Sequence, residues 1–146
     1  MSAADSGFYY FDTSALIKRY AAERGSAWVS ALLDAHPHVF VSTFTFVEGV
    51  AALSRRSFPA KAETLVRFEV DFHRGFSRIA ISPAVLETAA HLARNRHLRA
   101  GDALQLASAL VVFQRLPDLV FVCADDELNA AAQAEGMQAE NPNAHG

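Results

Sequence analysis

Four acidic residues stand where the character of the chain changes. Asp12 directly follows the aromatic run Phe8–Phe11, and two residues separate Asp125 from the apolar run Leu119–Val122. Asp102 follows a basic turn and opens an apolar helical stretch. Each of these three suits a helix N-cap, where a carboxylate accepts a bond from the first turn, as well as it suits a ligand. Glu48 differs. It lies inside a helical segment with Phe44, Val47, Ala51 and Ala52 as helical neighbours, so it projects from an apolar stripe. A carboxylate there needs an arginine partner, a place at the rim of the stripe, a cation or a proton. Four carboxylates gathered at one point would repel one another and hold together best around a hard divalent cation, Mg²⁺ or Mn²⁺. Cations held by carboxylates that keep several waters suit phosphate chemistry, and hydrolysis of a phosphodiester is the natural reaction class.

The elements that must position these acids follow from patterning. The spacing predicts strands over Phe8–Phe11, Val39–Val41, Ile79–Ile81 and Leu119–Val122, with an edge strand at Met137–Ala139. Helices are predicted over Thr13–Ala21, Gly25–Ala35, Thr43–Arg55, from Pro59 to Gly75, Ala84–Asn95, Gly101–Phe113 and from Asp125 to Gly136. Apolar strands without in/out alternation, separated by helices, indicate an α/β fold in three α/β/α layers around a mainly parallel sheet. In such sheets sites form beyond the carboxyl ends of the strands, where Asp12 and Asp125 fall. With 146 residues and no linker or repeat, residues 1–140 are expected as a single domain and 141–146 as a flexible tail.

Composition narrows the classes. No apolar run approaches the ~20 residues of a membrane span, and the first residues lack the basic and apolar regions of a signal peptide. One cysteine, Cys123, allows no internal disulfide, which suits a reducing cytoplasm. The glycines form no phosphate-cradling loop and there is no Gly-x-Ser-x-Gly elbow. The six histidines lack zinc-ligand spacing. A phosphoacceptor domain with Asp12 as nucleophile would need a second aspartate beside it and a lysine at a strand end, and only Lys18, six residues on, is near. The net charge of −3 does not suggest a nucleic-acid binder. Between Arg55 and Arg99, however, nine Lys/Arg face four Asp/Glu, a local balance of +5. These residues include Arg55, Arg56, Arg94, Arg96 and Arg99. They form either a phosphate-facing surface or a set of solvated helix faces.

Taken together, four segments resemble the acidic motifs of the PIN-domain family. Tyr10-Phe11-Asp12-Thr13-Ser14-Ala15-Leu16-Ile17-Lys18 is similar to its opening strand and first acid, and Val41-Ser42-Thr43-Phe44-Thr45-Phe46-Val47-Glu48 to the segment with the second. The stretch from Leu98 to Ala109, with Gly101-Asp102-Ala103-Leu104 at its centre, is similar to the third motif. Val122-Cys123-Ala124-Asp125-Asp126-Glu127-Leu128 is similar to the fourth. The resemblance runs from about residue 8 to 139 and is to the VapC toxin ribonucleases of type II toxin–antitoxin systems. It implies an Mg²⁺- or Mn²⁺-dependent endoribonuclease in which a metal-activated water attacks an RNA phosphodiester. Asp12, Glu48 and Asp102 would then be the core metal ligands, and Asp125 would complete the pocket directly or through water. Thr13 or Ser14 would hydrogen-bond an acid or a water, and Arg55, Arg56 and Arg99 are candidates for the RNA backbone. The resemblance also implies a homodimer silenced by a VapB-like antitoxin. Two positions depart from the family pattern: Gln105 stands where a histidine is frequent, and Cys123 where a small hydroxyl residue is common. The alternative is a PIN-fold module that binds RNA or protein without catalysis.

Overall fold

The computed structural model describes residues 7–146. The chain runs β1 (Phe8–Phe11), α1 (Thr13–Leu16), a 3-10 turn (Ile17–Arg19), α2 (Ser26–Asp34), β2 (His38–Ser42) and α3 (Phe44–Arg55). It continues with α4 (Lys61–Arg74), β3 (Ser77–Ile79), α5 (Pro83–Arg96), α6 (Ala100–Phe113), β4 (Val120–Val122), α7 (Asp126–Ala134) and β5 (Gln138–Glu140), and closes on a 3-10 turn (Pro142–His145). The five strands form one sheet in the order β3-β2-β1-β4-β5, and every pairing is parallel.

Helices cover both faces of the sheet, which explains the unbroken apolar runs. Tyr9 and Phe11 of β1, Val39 and Val41 of β2, and Val120 and Val122 of β4 pack on one side, against α1 to α4. Tyr10 of β1 and Phe121 of β4 pack on the other, against α5, α6 and α7. A strand buried on both faces has no polar side to show. The chain moves outward from β1 to β3, then returns to lay β4 on the free side of β1. The order reverses there, and the carboxyl ends of β1 and β4 open the crevice that parallel sheets use for ligands.

Several boundaries differ from the sequence expectation. The first helix is a single α-helical turn that tightens into a 3-10 turn at Ile17. The tightening carries Lys18 inward, where its Nζ donates to Glu23 Oε1 at 3.0 Å and to the Arg24 carbonyl at 2.7 Å. β3 lies two residues earlier than the apolar pattern suggests. Its register is set by β2, which pairs Phe40 with Ser77 and Ser42 with Ile79, and the Thr43 amide closes the ladder on the Ile79 carbonyl. Ile81 packs instead under the α5–α6 layer. The last six residues, expected as a free tail, lie against the body. Pro142 is buried next to Gly25, and the His145 ring stacks on Trp28 at 4.5 Å. Gly25 has a φ of +86°, and a Cβ there would sit 2.8 Å from the Pro142 backbone, so glycine is required on two counts. Among the described residues no helix is long and apolar enough to cross a membrane.

Candidate active site at the carboxyl ends of the central strands

Asp12 leaves β1 in an extended conformation and caps α1. Its Oδ2 accepts bonds from the Ser14 amide (3.1 Å), the Ser14 hydroxyl (2.5 Å) and, weakly, the Cys123 thiol (3.6 Å). All three fall on one oxygen. The Ser14 hydroxyl in turn accepts from the Ala124 amide at 3.1 Å, which ties α1 to the segment after β4. The capping and ligand readings of Asp12 are therefore compatible, because one oxygen caps while the other stays clear of those bonds.

Glu48 is half-buried on α3 and has no arginine partner among the described residues. Its Oε1 accepts from the Thr13 hydroxyl at 2.8 Å and from Gln105 Nε2 at 2.7 Å. Oε2 points toward Gly101, where a Cβ would come within 3.3 Å of it and 3.4 Å of the Phe44 ring. Both neighbours are side-chain atoms able to move by tenths of an ångström. Gly101→Ala should accordingly leave the melting temperature nearly unchanged, since alanine gains helix propensity, while the RNA cleavage implied by the motif resemblance falls several-fold as Oε2 is displaced. A variant with full activity would show that the position of Oε2 does not matter.

Asp102 is not an N-cap. Arg99 holds that position, and Asp102 sits in the first turn of α6, half-buried. Asp125 does cap α7, accepting from the Glu127 amide at 2.9 Å, and is exposed. Asp126 turns away from the cleft. Its Oδ1 accepts from Asn141 Nδ2 at 2.8 Å and anchors the C-terminal turn.

The acids meet in two clefts that share one wall. Asp12, Thr13, Ser14, Glu48 and Asp102 line a cleft of ≈ 490 Å³, whose outer end carries Arg55 and Arg56. Asp102 also lines a smaller cleft of ≈ 210 Å³ with His97, Arg99, Asp125 and Glu127. Burial, with Glu48 and Asp102 close by, pushes the Asp12 carboxyl up to about 6, against the bonds from Ser14. Asp102 is raised by burial first, then by Asp125 and Glu48, with Arg99 opposing. Asp125 thus joins the cluster through Asp102. The Cys123 thiol is driven up by burial and by Asp12, so it stays protonated, a donor to Asp12 and no nucleophile.

The basic segment divides. Arg56 pairs with Glu23 at 2.9 Å, and Arg96 pairs with Glu135. Arg55 and Arg99 stay exposed at the two clefts. By its charge alone Arg96 belonged to the phosphate-facing surface. Its partner lies 39 residues further along the chain, so no local pattern could disclose it. Sequence reasoning also passed over Thr45, which is fully buried and accepts from Gln105 Nε2 at 3.0 Å, and over the buried Tyr10 hydroxyl behind Gln105. Thr45 lies three residues before Glu48 and Gln105 three after Asp102, so helical spacing was the available signal.

These donors are all hard oxygens. Among the described residues no three His, Cys, Asp or Glu side chains are gathered closely enough to hold a metal ion between them. The set fits Mg²⁺ or Mn²⁺ even so. Mg²⁺ is held through one or two carboxylates while keeping its waters, and a carboxyl raised by neighbouring carboxylates marks charge that a cation would offset.

A PIN domain is recognised over residues 9–133. Ribonuclease VapC45 of Mycobacterium tuberculosis (strain CDC 1551 / Oshkosh) is 35% identical over 137 residues, spanning 88% of this chain and 92% of the relative. Ribonuclease VapC49 of Mycobacterium tuberculosis (strain ATCC 25618 / H37Rv) matches to the same extent. Among solved structures, a toxin–antitoxin complex from Klebsiella pneumoniae superposes with a TM-score of 0.67 at 22% identity, covering 92% of this chain and 97% of that one. VapBC2 from Rickettsia felis, bound to a promoter DNA fragment, gives 0.64 at 13%, covering 92% and 98%. At those identities the structures speak for the fold. Family and sequence relatives agree with it: this chain belongs to the PIN-domain family and is a relative of its VapC ribonucleases.

Proposed function

We propose that this protein is an endoribonuclease dependent on Mg²⁺ or Mn²⁺, acting as the toxin of a toxin–antitoxin pair. The observation that carries the reading is the convergence of Asp12, Glu48 and Asp102, joined by Asp125, in an open cleft with Arg55 exposed at its rim. The named ribonuclease relatives supply the reaction class. A protein antitoxin as partner and a homodimer as the working form belong to the same proposal.

Asp12, Glu48 and Asp102 would hold the cation, with Asp125 supporting it beside Asp102. A bound divalent ion supplies Lewis-acid activation of water and neutralises charge on the phosphate. The chain's own residues orient the acids. Ser14 fixes Asp12 through Oδ2, and Thr13 and Gln105 fix Glu48 through Oε1, so the remaining oxygens keep their aim. Arg55, with no ion-pair partner among the described residues, attracts the RNA backbone to the outer end of the cleft. Arg99 does the same on the Asp125 side.

The decisive experiment incubates total RNA with the purified protein, with and without Mg²⁺ or Mn²⁺, beside Asp102→Asn. Discrete cleavage that needs metal and disappears in the variant is expected. Cleavage that survives in EDTA would overturn the metal dependence, and no cleavage by antitoxin-free protein would favour a binding module. RNA binding offers a separate check. In the Asp102→Asn background, Arg55→Glu should weaken binding and flatten the log–log salt slope by about 0.7, the release expected for one single-strand phosphate contact. An unchanged slope would remove Arg55 from the RNA path.

A further inference from the structure

Gln105 is 1% exposed, in the middle of an otherwise apolar stretch of α6. Burying a primary amide costs free energy unless its hydrogen bonds are all made. Its amide makes four contacts, and two of them reach residues that line the cleft, Glu48 and Thr13. Nε2 lies 2.7 Å from Glu48 Oε1, 3.1 Å from Thr13 Oγ1 and 3.0 Å from Thr45 Oγ1, while Oε1 accepts from the Tyr10 hydroxyl at 2.6 Å.

The direction of every bond follows from proton counting. A carboxylate only accepts, so Glu48 requires the NH₂ end of the amide. The reversed amide would set its carbonyl oxygen against the Glu48 carboxylate. Tyr10 closes the other end. Burial drives its hydroxyl well above its ordinary range, so it remains a donor and holds the carbonyl oxygen. The single Thr13 hydroxyl proton goes to Glu48 at 2.8 Å rather than to Thr45 at 3.3 Å. One Nε2 proton goes to Glu48, and the threonine oxygens share the other. Both bonds to Glu48 therefore fall on Oε1, and Oε2 is left toward the cleft beside Gly101.

Building on the cation-dependent reading of the cleft, we propose that Gln105, oriented by Tyr10, is the positioning residue that pins Glu48 by Oε1 and reserves Oε2 for the divalent ion. Tyr10 acts only through Gln105. The chain links a strand residue in the second core layer to an acid on α3, across the carboxyl end of the sheet.

The test removes the chain at both ends of its central bond, leaving Glu48 Oε1 the bond from Thr13 and the Thr45 oxygen 3.3 Å from the Thr13 hydroxyl. Tyr10→Phe/Gln105→Leu replaces both partners with apolar groups of similar shape, which folds commonly tolerate. Mn²⁺ binding is read from the electron paramagnetic resonance signal of the free ion, and folding from the melting temperature of the metal-free protein. The double variant should keep a wild-type melting transition while its Mn²⁺ dissociation constant rises roughly ten- to a hundred-fold, the usual cost of losing a ligand's supporting bond. Gln105→Leu alone should weaken Mn²⁺ binding as much as the double variant does, and Tyr10→Phe alone should weaken it less. A folded double variant within twofold of wild type would overturn the positioning role, as would independent, additive effects of the two single changes. Wild-type protein that takes up no Mn²⁺ would overturn the cation-dependent reading itself, and the assignment of Gln105 with it.

Discussion

Asp12→Asn should inactivate the protein and stabilise it in the same step. RNA cleavage should fall by at least about a hundred-fold, as expected when a group stabilising charge in the transition state is removed. In metal-free buffer near pH 7.5 the variant should be more stable than wild type by about 1–3 kcal/mol. The reason is electrostatic. Asp12 is 6% exposed and its carboxyl is pushed up to about 6 from an ordinary 3.8, by burial above all and then by Glu48 and Asp102. Between about pH 4 and 6 the folded protein holds a proton that the unfolded chain has lost. Metal-free wild type should therefore lose stability as pH rises through that window, then level off above it. Asparagine carries no charge to bury, and its carbonyl oxygen can still accept the Ser14 bonds. Urea denaturation with EDTA, at pH 4.5 and pH 7.5, measures the difference. Saturating Mg²⁺ should raise the wild-type midpoint and leave Asp12→Asn much less affected. Equal stability of the two metal-free proteins at both pH values would mean that Asp12 carries no such penalty.

Gly49→Ala should produce the largest loss of stability, about 2–3 kcal/mol, at the upper end of what overpacking costs. A Cβ at Gly49 would stand 2.2 Å from Phe68 Cζ, with the ring's two Cε atoms at 2.8 and 2.9 Å. Phe68 is fully buried and cannot swing aside. Tyr20 meets it edge-on at 5.2 Å, and Phe46 and Phe72 pack around it at 6.5 and 6.4 Å. The methyl would force α3 away from α4, and Glu48, the preceding residue, would move with it. Thermal melting should show a drop of roughly 5–10 °C, with cleavage lost beyond the loss of folded protein. Phe68→Leu added to Gly49→Ala should recover part of the stability by vacating the ring's space. A melting temperature equal to wild type would refute the close contact between the two helices.

Much of this protein was legible along the chain. Strands such as Phe8–Phe11 and Leu119–Val122 are apolar at every position, and only a sheet covered on both faces makes that pattern economical, so the parallel α/β layering follows from composition and order alone. The acids Asp12 and Asp125 were placed by the same logic, because the residues just past such strands must stand at the sheet's carboxyl edge. Glu48 was conspicuous because a charge on an apolar helical stripe calls for a partner. Tertiary structure decided what depends on neighbours distant in sequence. β3 took its register from β2 rather than from its own isoleucines. The basic residues look alike as sequence, yet Arg56 and Arg96 are held by Glu23 and Glu135 while Arg55 has no ion-pair partner among the described residues and stands exposed at the cleft. Asp102 became the shared wall of two clefts only once the first turn of α6 stood beside Glu48 on one side and Asp125 on the other. Gln105 reads as one polar residue in an apolar helix, and its orientation exists only because Tyr10 and Glu48, 95 and 57 residues away, close on its two ends. Periodicity and local chemistry report which face of an element is buried. Which side chain donates to which acid is set by distances between elements, and those arise only when the layers pack.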